Sequence, residues 1–339
     1  MPSARETIIR IVEDLPDAVW QQWLSLSPFD PTHTEPAYEK SLLEWGLRQG
    51  AVMLILEQAG QALARCVWKT VGPVVGDCGL GFVAYRPGLA NESEMLNHLL
   101  EAAFADCRRE GGLRMIAPIN LNTWFAYRLR NDSESSRFTW EPTHQPLLES
   151  VLKQQGFAPD TQYHSIASIN TDSFKTYLEQ AYRSEKIQGY RIELIPTGAL
   201  NPSQVQGIYE LSNREFASNP YFEPIDFQTF ARLYLRVPAD RNQAGISIAW
   251  SPEGQIAGFF YTFYESRADA IVLKTAGVGC EHQGLGLSNA LLWVHLASYS
   301  KPPRLSISAL LKAGQRSESY ARHGQEVWRH EYLLYERTL

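Results

Sequence analysis

Apolar and polar positions alternate with two distinct periods along the chain, and the second half shows them most cleanly. After Asn201-Pro202-Ser203, a helix-start signal, Val205, Ile208, Tyr209, Leu211, Ser212, Glu215 and Phe216 fall at helical spacing until Asn219-Pro220 stops the pattern. Asp226 offers the N-cap of a second, short helix running to Leu235. The pattern then shortens to that of strands. GISIAW (245–250) and IAGFFYTFY (256–264) flank a turn over 251–255 that carries Pro252 and Gly254, which reads as a hairpin. A strand AIVLKTAGV (270–278), a glycine-bearing segment CEHQGLG, and a helix over 287–300 marked by Leu291, Leu292, His295 and Leu296 follow. Pro302-Pro303 ends that helix. A strand RLSISALL (304–311), a helix over 315–324 and a last strand over 327–339 complete the half.

The first half repeats this order in weaker form. Helices are expected around 15–26 and 38–49, a strand pair over 52–58 and 61–69, and a strand over 79–85. A helix over 92–110, a strand over 114–120, a helix over 145–155 and a strand over 162–169 follow. The repetition points to a duplication with a period of about 170 residues. The polar stretch 171–189 contains few large aliphatics and reads as a linker between a first domain, 1–170, and a second, 190–339.

Composition narrows the function classes. The chain has 339 residues, 44% of them hydrophobic, and a net charge of −6, so two ordinary globular cores are affordable without staples. No basic run exceeds two residues, which excludes the clustered charge a nucleic-acid binder needs. Cys66, Cys78, Cys107 and Cys280 lie apart with no zinc-ligand spacing and read as reduced thiols of a cytoplasmic protein, with no metal expected. Charges break up the first sixteen residues, and the apolar runs fall far short of the roughly 18 residues of a membrane span.

The candidate chemistry is at the second strand-to-helix junction. Gln283-Gly284-Leu285-Gly286-Leu287-Ser288 places two spaced glycines before a helix, where backbone N–H groups converge and the helix dipole favours an anion such as a pyrophosphate. A dinucleotide fingerprint fails because His282 stands at its third glycine position, and no GK[ST] for a phosphate-binding Walker loop exists. In the first half, the corresponding RPGLANES (86–93) has one glycine, and its Pro87 lacks an N–H. No Ser/His/Asp or Cys/His arrangement points to a covalent nucleophile.

The order of elements, together with Val278 and the Q-x-x-G-x-S segment at Gln283, Gly286 and Ser288, resembles the GCN5-related N-acetyltransferase superfamily. The resemblance implies an α/β (α+β) chain of two tandem domains, each a mixed, mostly antiparallel central sheet flanked by helices. It implies coenzyme A held by Ala276, Gly277, Val278 and by Gln283, Gly284, Leu285, Gly286, Leu287 and Ser288. The strand over 272–278 is then expected to splay from its neighbour and pair with the pantetheine arm. Tyr320, four residues before Gly324, matches the tyrosine that protonates the departing thiolate. The implied activity is direct transfer of an acetyl or longer acyl group from acyl-coenzyme A to the amine of a small molecule or peptide. A non-catalytic acyl-coenzyme-A-binding or partner-binding module, and a fatty acyl donor, on coenzyme A or on a carrier protein, stay open as alternatives. The first copy is expected to have lost coenzyme binding, leaving Asn120, Asn122 and Trp124 to line an acceptor pocket. No nucleic-acid or membrane partner is expected, and the oligomeric state is open.

Overall fold

The computed structural model describes residues 6–26, 36–132, 137–235, 244–314 and 324–339. Along the chain run β1 (Glu6–Ile11), α1 (Asp17–Ser25), α2 (Pro36–Arg48), β2 (Val52–Gln58), β3 (Gln61–Thr70), β4 (Asp77–Tyr85), α3 (Glu92–Arg109), β5 (Arg114–Ala117), β6 (Leu129–Arg130) and α4 (Pro146–Gln154). They are followed by β7 (Ala158–Ile169), α5 (Asp172–Tyr182), β8 (Arg191–Pro196), α6 (Pro202–Phe216), α7 (Phe227–Leu235), β9 (Gly245–Trp250), β10 (Ile256–Glu265), β11 (Ala270–Val278), α8 (Leu287–Ala297), β12 (Leu305–Lys312) and β13 (Gln325–Thr338). Among the described residues no helix is long and apolar enough to cross a membrane.

The chain forms two compact units whose boundaries differ from the expected ones. Unit 1 comprises residues 1–162, 220–223 and 332–339, and unit 2 comprises 163–219 and 224–331. Unit 1 orders its strands β1-β2-β3-β4-β5 and closes with the C-terminal part of β13, whose Tyr335–Thr338 pairs antiparallel with β5. Unit 2 orders its strands β8-β9-β10-β11-β12 and closes with Tyr163–Ile169 of β7, antiparallel to β12. Each sheet is therefore antiparallel except for one parallel pairing, β4 with β5 and β11 with β12. The last strand of each sequence half completes the sheet of the other unit.

The expected linker 171–189 is not one. Thr171 caps α5 by accepting the Phe174 N–H at 3.2 Å, and Phe174 and Leu178, one turn apart, enter the unit 2 core. Two large buried side chains suffice to dock a helix, so few aliphatics along a segment do not make it a linker. Their neighbour is α8, whose Leu287, Ala290, Leu291, Leu292, His295 and Leu296 are buried. A helix this apolar needs cover on more than its sheet-facing side, and α5 supplies it. Short strands β1 and β8, edge elements in both units, are additions to the expected order.

α6 begins at a capping box: Asn201 accepts from the Gln204 N–H at 2.9 Å, the Gln204 side chain accepts from the Asn201 N–H at 2.9 Å, and Pro202 sits at the first turn. α7 starts at Asp226, whose carboxylate accepts from the Thr229 N–H at 2.9 Å. These caps match the sequence signals.

Candidate active site

β11 and β12 run in parallel register from Ala270↔Leu305 to Leu273↔Ser308, and there the pairing stops. Both strands bend at that point for identifiable reasons. A register shift between Tyr261 and Thr262 of β10 gives β11 one extra residue, Lys274, and such bulges raise local twist and re-aim a strand. On β12, the pairing to β7 shifts between Ser308 and Leu311, with Leu310 left-handed at φ 56° and its N–H bonded to Ser165 Oγ at 2.8 Å. Thr275–Val278 keep their partners on β10 but have none on β12. The result is an opening in the β11–β12 pairing, with the edge of β11 beyond Leu273 left without a partner on β12 and available for an extended, amide-bearing ligand.

The loop after β11 lies at the end of this opening. Gly279 N–H extends the strand pairing to Ala257 O at 2.9 Å, a short turn over Cys280–His282 follows, and Gly284 and Gly286 take φ +79° and +88°. Gly286 is the N-cap of α8 and has no side chain to satisfy the first turn. None of the N–H groups of Gly284–Ser288 has an acceptor among the described residues. An N-terminal helix turn preceded by left-handed glycines is a concave array of donors suited to phosphate oxygens.

The expected site residues divide into those that offer backbone and those that support it. The exposed Gln283 side chain reaches back across the loop, donating from Nε2 to Val278 O at 3.1 Å and to Glu215 Oε2 at 3.3 Å. Glu215 also accepts the Cys280 N–H at 3.2 Å, so the last turn of α6 holds both sides of the loop. Gly277 is small because a Cβ there would lie 2.8 Å from the Phe259 ring, a packing need within the sheet. Ala276, Val278 and Leu285 pack partly buried against the α8 side of the core, and Leu287 is buried in it. Gly284 and Gly286 have open space around the position of a Cβ apart from Ala181 Cβ at 3.7 Å, so their backbone angles, not crowding, require glycine.

Glu215 is a carboxylate on the same helical stripe of the sequence as Ile208, Leu211 and Ser212. A charge on a buried face needs a partner, and the loop supplies two N–H donors while Arg214 Nε adds a contact at 3.2 Å. Cys280 Sγ donates to Glu281 Oε2 at 3.2 Å, and that hydrogen bond to a carboxylate pushes the thiol above its ordinary range. A thiol so held is a poor nucleophile. His282 Nδ1 lies 2.9 Å from the Tyr190 hydroxyl, fixing the ring beside the loop.

Asn120, Asn122 and Trp124, the expected acceptor-pocket residues, are held by hydrogen bonds within unit 1. Asn120 Oδ1 accepts the Phe82 N–H at 2.7 Å, and Asn122, 0% exposed, accepts the Trp124 N–H at 2.9 Å. Trp124 Nε1 donates to Glu223 O at 2.9 Å and its ring meets that of Phe222. Asn122 is buried, and Asn120 and Trp124 are half-buried. Tyr320 lies outside the described residues.

No family model and no curated protein matches the sequence. Solved structures do match the fold. A tandem GNAT protein from the clavulanic acid biosynthesis pathway is 13% identical with a TM-score of 0.58, and 98% of each chain is covered. A GCN5-related N-acetyltransferase from Kribbella flavida is 9% identical with a TM-score of 0.60, covering 98% of this chain and 72% of its own. A protein of unknown function from Enterococcus faecalis V583, a probable N-acyltransferase, is 11% identical with a TM-score of 0.62, covering 99% and 72%. The chain has the tandem GCN5-related N-acetyltransferase fold.

Proposed function

We propose that the chain is an N-acyltransferase that takes an acetyl or longer acyl group from coenzyme A and passes it directly to the amine of a small molecule or peptide. The observation that carries this reading is the end of the β11–β12 pairing at Leu273↔Ser308 beside a loop of unsatisfied N–H groups. The two features are complementary to the two parts of one ligand: an extended chain of amides and a pyrophosphate. Thr275–Val278 would hold the amides, and Gly284–Ser288 the phosphates, with Gln283 and Glu215 keeping the loop in place.

The donor supplies an activated acyl thioester when bound. The chain's own part in the reaction is positional and electrostatic. The free edge of β11 offers backbone N–H groups that stabilise negative charge growing on a carbonyl oxygen, with no reorganisation at the moment of reaction. The amine has to arrive neutral. By the resemblance, Tyr320 donates the proton that the departing sulfur takes up. The Cys280 thiol, bonded to Glu281, is not equipped to carry the acyl group, in keeping with direct transfer.

The test is calorimetric titration of the full chain with coenzyme A, followed by thioester consumption from acetyl-coenzyme A across a panel of amines. One bound equivalent and amine-dependent release of thiol are expected. Binding without turnover on any amine would reassign the chain as a non-catalytic acyl-coenzyme-A module, and absence of binding would remove the donor.

A further inference from the structure

Unit 1 contains the counterpart of the opening, and the chain itself enters it. A register shift between Arg65 and Val67 sets Phe82 and Val83 of β4 opposite Cys66 alone, a bulge like that of β11. Parallel pairing of β4 with β5 stops at Gly79↔Ile116. Here the segment after β5 does not diverge. Ile119 N–H donates to Leu80 O at 2.7 Å, and Asn120 Oδ1 accepts the N–H of Phe82, on the bulge itself, at 2.7 Å. The fit is tight: a Cβ on Gly81 would lie 2.1 Å from Ile119 O and 2.6 Å from Asn120 Oδ1. At the following loop, Glu92 Oε1 accepts the Leu89 N–H at 3.2 Å and also the Gly88 N–H.

We propose that the donor cleft of unit 1 is filled by the chain's own groups: the Asn120 carboxamide in place of a pantetheine amide, and the Glu92 carboxylate in place of a pyrophosphate. This rests on reading the unit 2 opening as a coenzyme A site. The substitution is chemically conservative at both ends. A carboxamide oxygen on a strand N–H is the same contact a ligand amide would make, and a carboxylate at α3's first turn takes the favourable field of the helix N-terminus. Any second donor would have to displace a segment whose Ile119 is 0% exposed.

Residue-resolved amide hydrogen exchange on the full chain, with coenzyme A as the probe, tests this. Without the probe, the Phe82, Gly88 and Leu89 amides are expected to be protected and those of Gly284–Ser288 fast; with it, only the second group changes. Glu92→Ala should speed Gly88 and Leu89 exchange by about tenfold, the loss of one charge-assisted hydrogen bond, and Glu92→Gln should restore part of the protection. Asn120→Ala should release Phe82, and Asn120→Asp, which keeps an acceptor oxygen, should not. Coenzyme-induced protection at 80–89, a second bound equivalent, or exchange unchanged by Glu92→Ala would overturn the proposal. A chain that binds no coenzyme A defeats the reading of unit 2 instead, and the Glu92 and Asn120 variants then decide the self-filled cleft on their own.

Discussion

Gln283 Nε2 stands 3.3 Å from Glu215 Oε2, and that contact ties the glycine loop to the last turn of α6. Glu215→Ala removes two acceptors, of the Gln283 amide and of the Cys280 N–H, while also removing a negative charge near the expected phosphates. The two effects oppose each other. The charge is already opposed by Arg214 Nε at 3.2 Å, and screened interactions of this kind amount to about 0–1 kcal/mol, against about 0.5–1.5 kcal/mol for each hydrogen bond. Loss of order therefore wins: coenzyme A affinity should fall about fivefold to tenfold in calorimetry, with Glu215→Gln closer to wild type. Affinity equal to or tighter than wild type in Glu215→Ala would show that the loop holds without α6.

Gly286→Ala probes backbone geometry. At φ +88° an L-residue costs about 1–2 kcal/mol, and relief of that strain rotates the N–H groups that precede α8. Coenzyme A binding should weaken by about tenfold. Gly254→Ala, at φ +82° in the β9–β10 turn, is the matched control and should lower thermal stability with unchanged affinity. Equal effects of the two substitutions on affinity would separate the loop from the ligand.

Neither sequence half should fold alone. A fragment 1–170 lacks Tyr332 and Tyr335, both 0% exposed, whose hydroxyls donate to Glu141 and, at 2.8 Å, to Glu149. A fragment 190–339 lacks Phe174, Leu178 and the β7 partner of β12. Removing one buried aromatic alone costs about 3–5 kcal/mol, a large share of a domain's stability. Dispersed NMR spectra from either fragment would contradict the interleaved units.

His295 gives unit 2 an acid limit. Its Nε2 lies 3.0 Å from the Phe260 carbonyl oxygen and 3.2 Å from the Ser247 N–H that donates to it, and its Nδ1 lies 2.9 Å from Thr262 Oγ1, so the ring is enclosed by hydrogen-bonding groups of the core. Burial disfavours the imidazolium and lowers the pKa to about 4. Between that value and the unfolded value of about 6.5 only the unfolded chain binds the proton, so stability falls as pH drops through this window. Denaturant unfolding at pH 7 and at pH 4.5 should differ by about 2–3 kcal/mol more in wild type than in His295→Gln. Equal differences would show that the ring is not the titrating group.

The sequence was legible wherever local chemistry decides the outcome. The Asn201 and Asp226 caps, the β9–β10 hairpin and the glycine loop were all readable because each depends on residues a few positions apart. The units' true membership was not, because exchange of β7 and β13 depends on pairing between strands far apart in the chain, and either partner fits a sheet by pattern alone. The partner of Asn120 was hidden for the same reason: the Phe82 N–H that its side chain accepts lies 38 residues earlier in the chain. Glu215 carried a signal in its position on a buried stripe, but only the loop's arrival beside it gives that charge a purpose.

Crystallisation of the full chain with acetyl-coenzyme A tests the central claim most directly. The account predicts one molecule per chain, its pantetheine arm along Thr275–Val278 and its pyrophosphate on the N–H groups of Gly284–Ser288, with Asn120 and Glu92 unmoved in unit 1. Density for the coenzyme along β4, with Asn120 displaced from Phe82, or a saturated complex with the β11 edge bare, would contradict it.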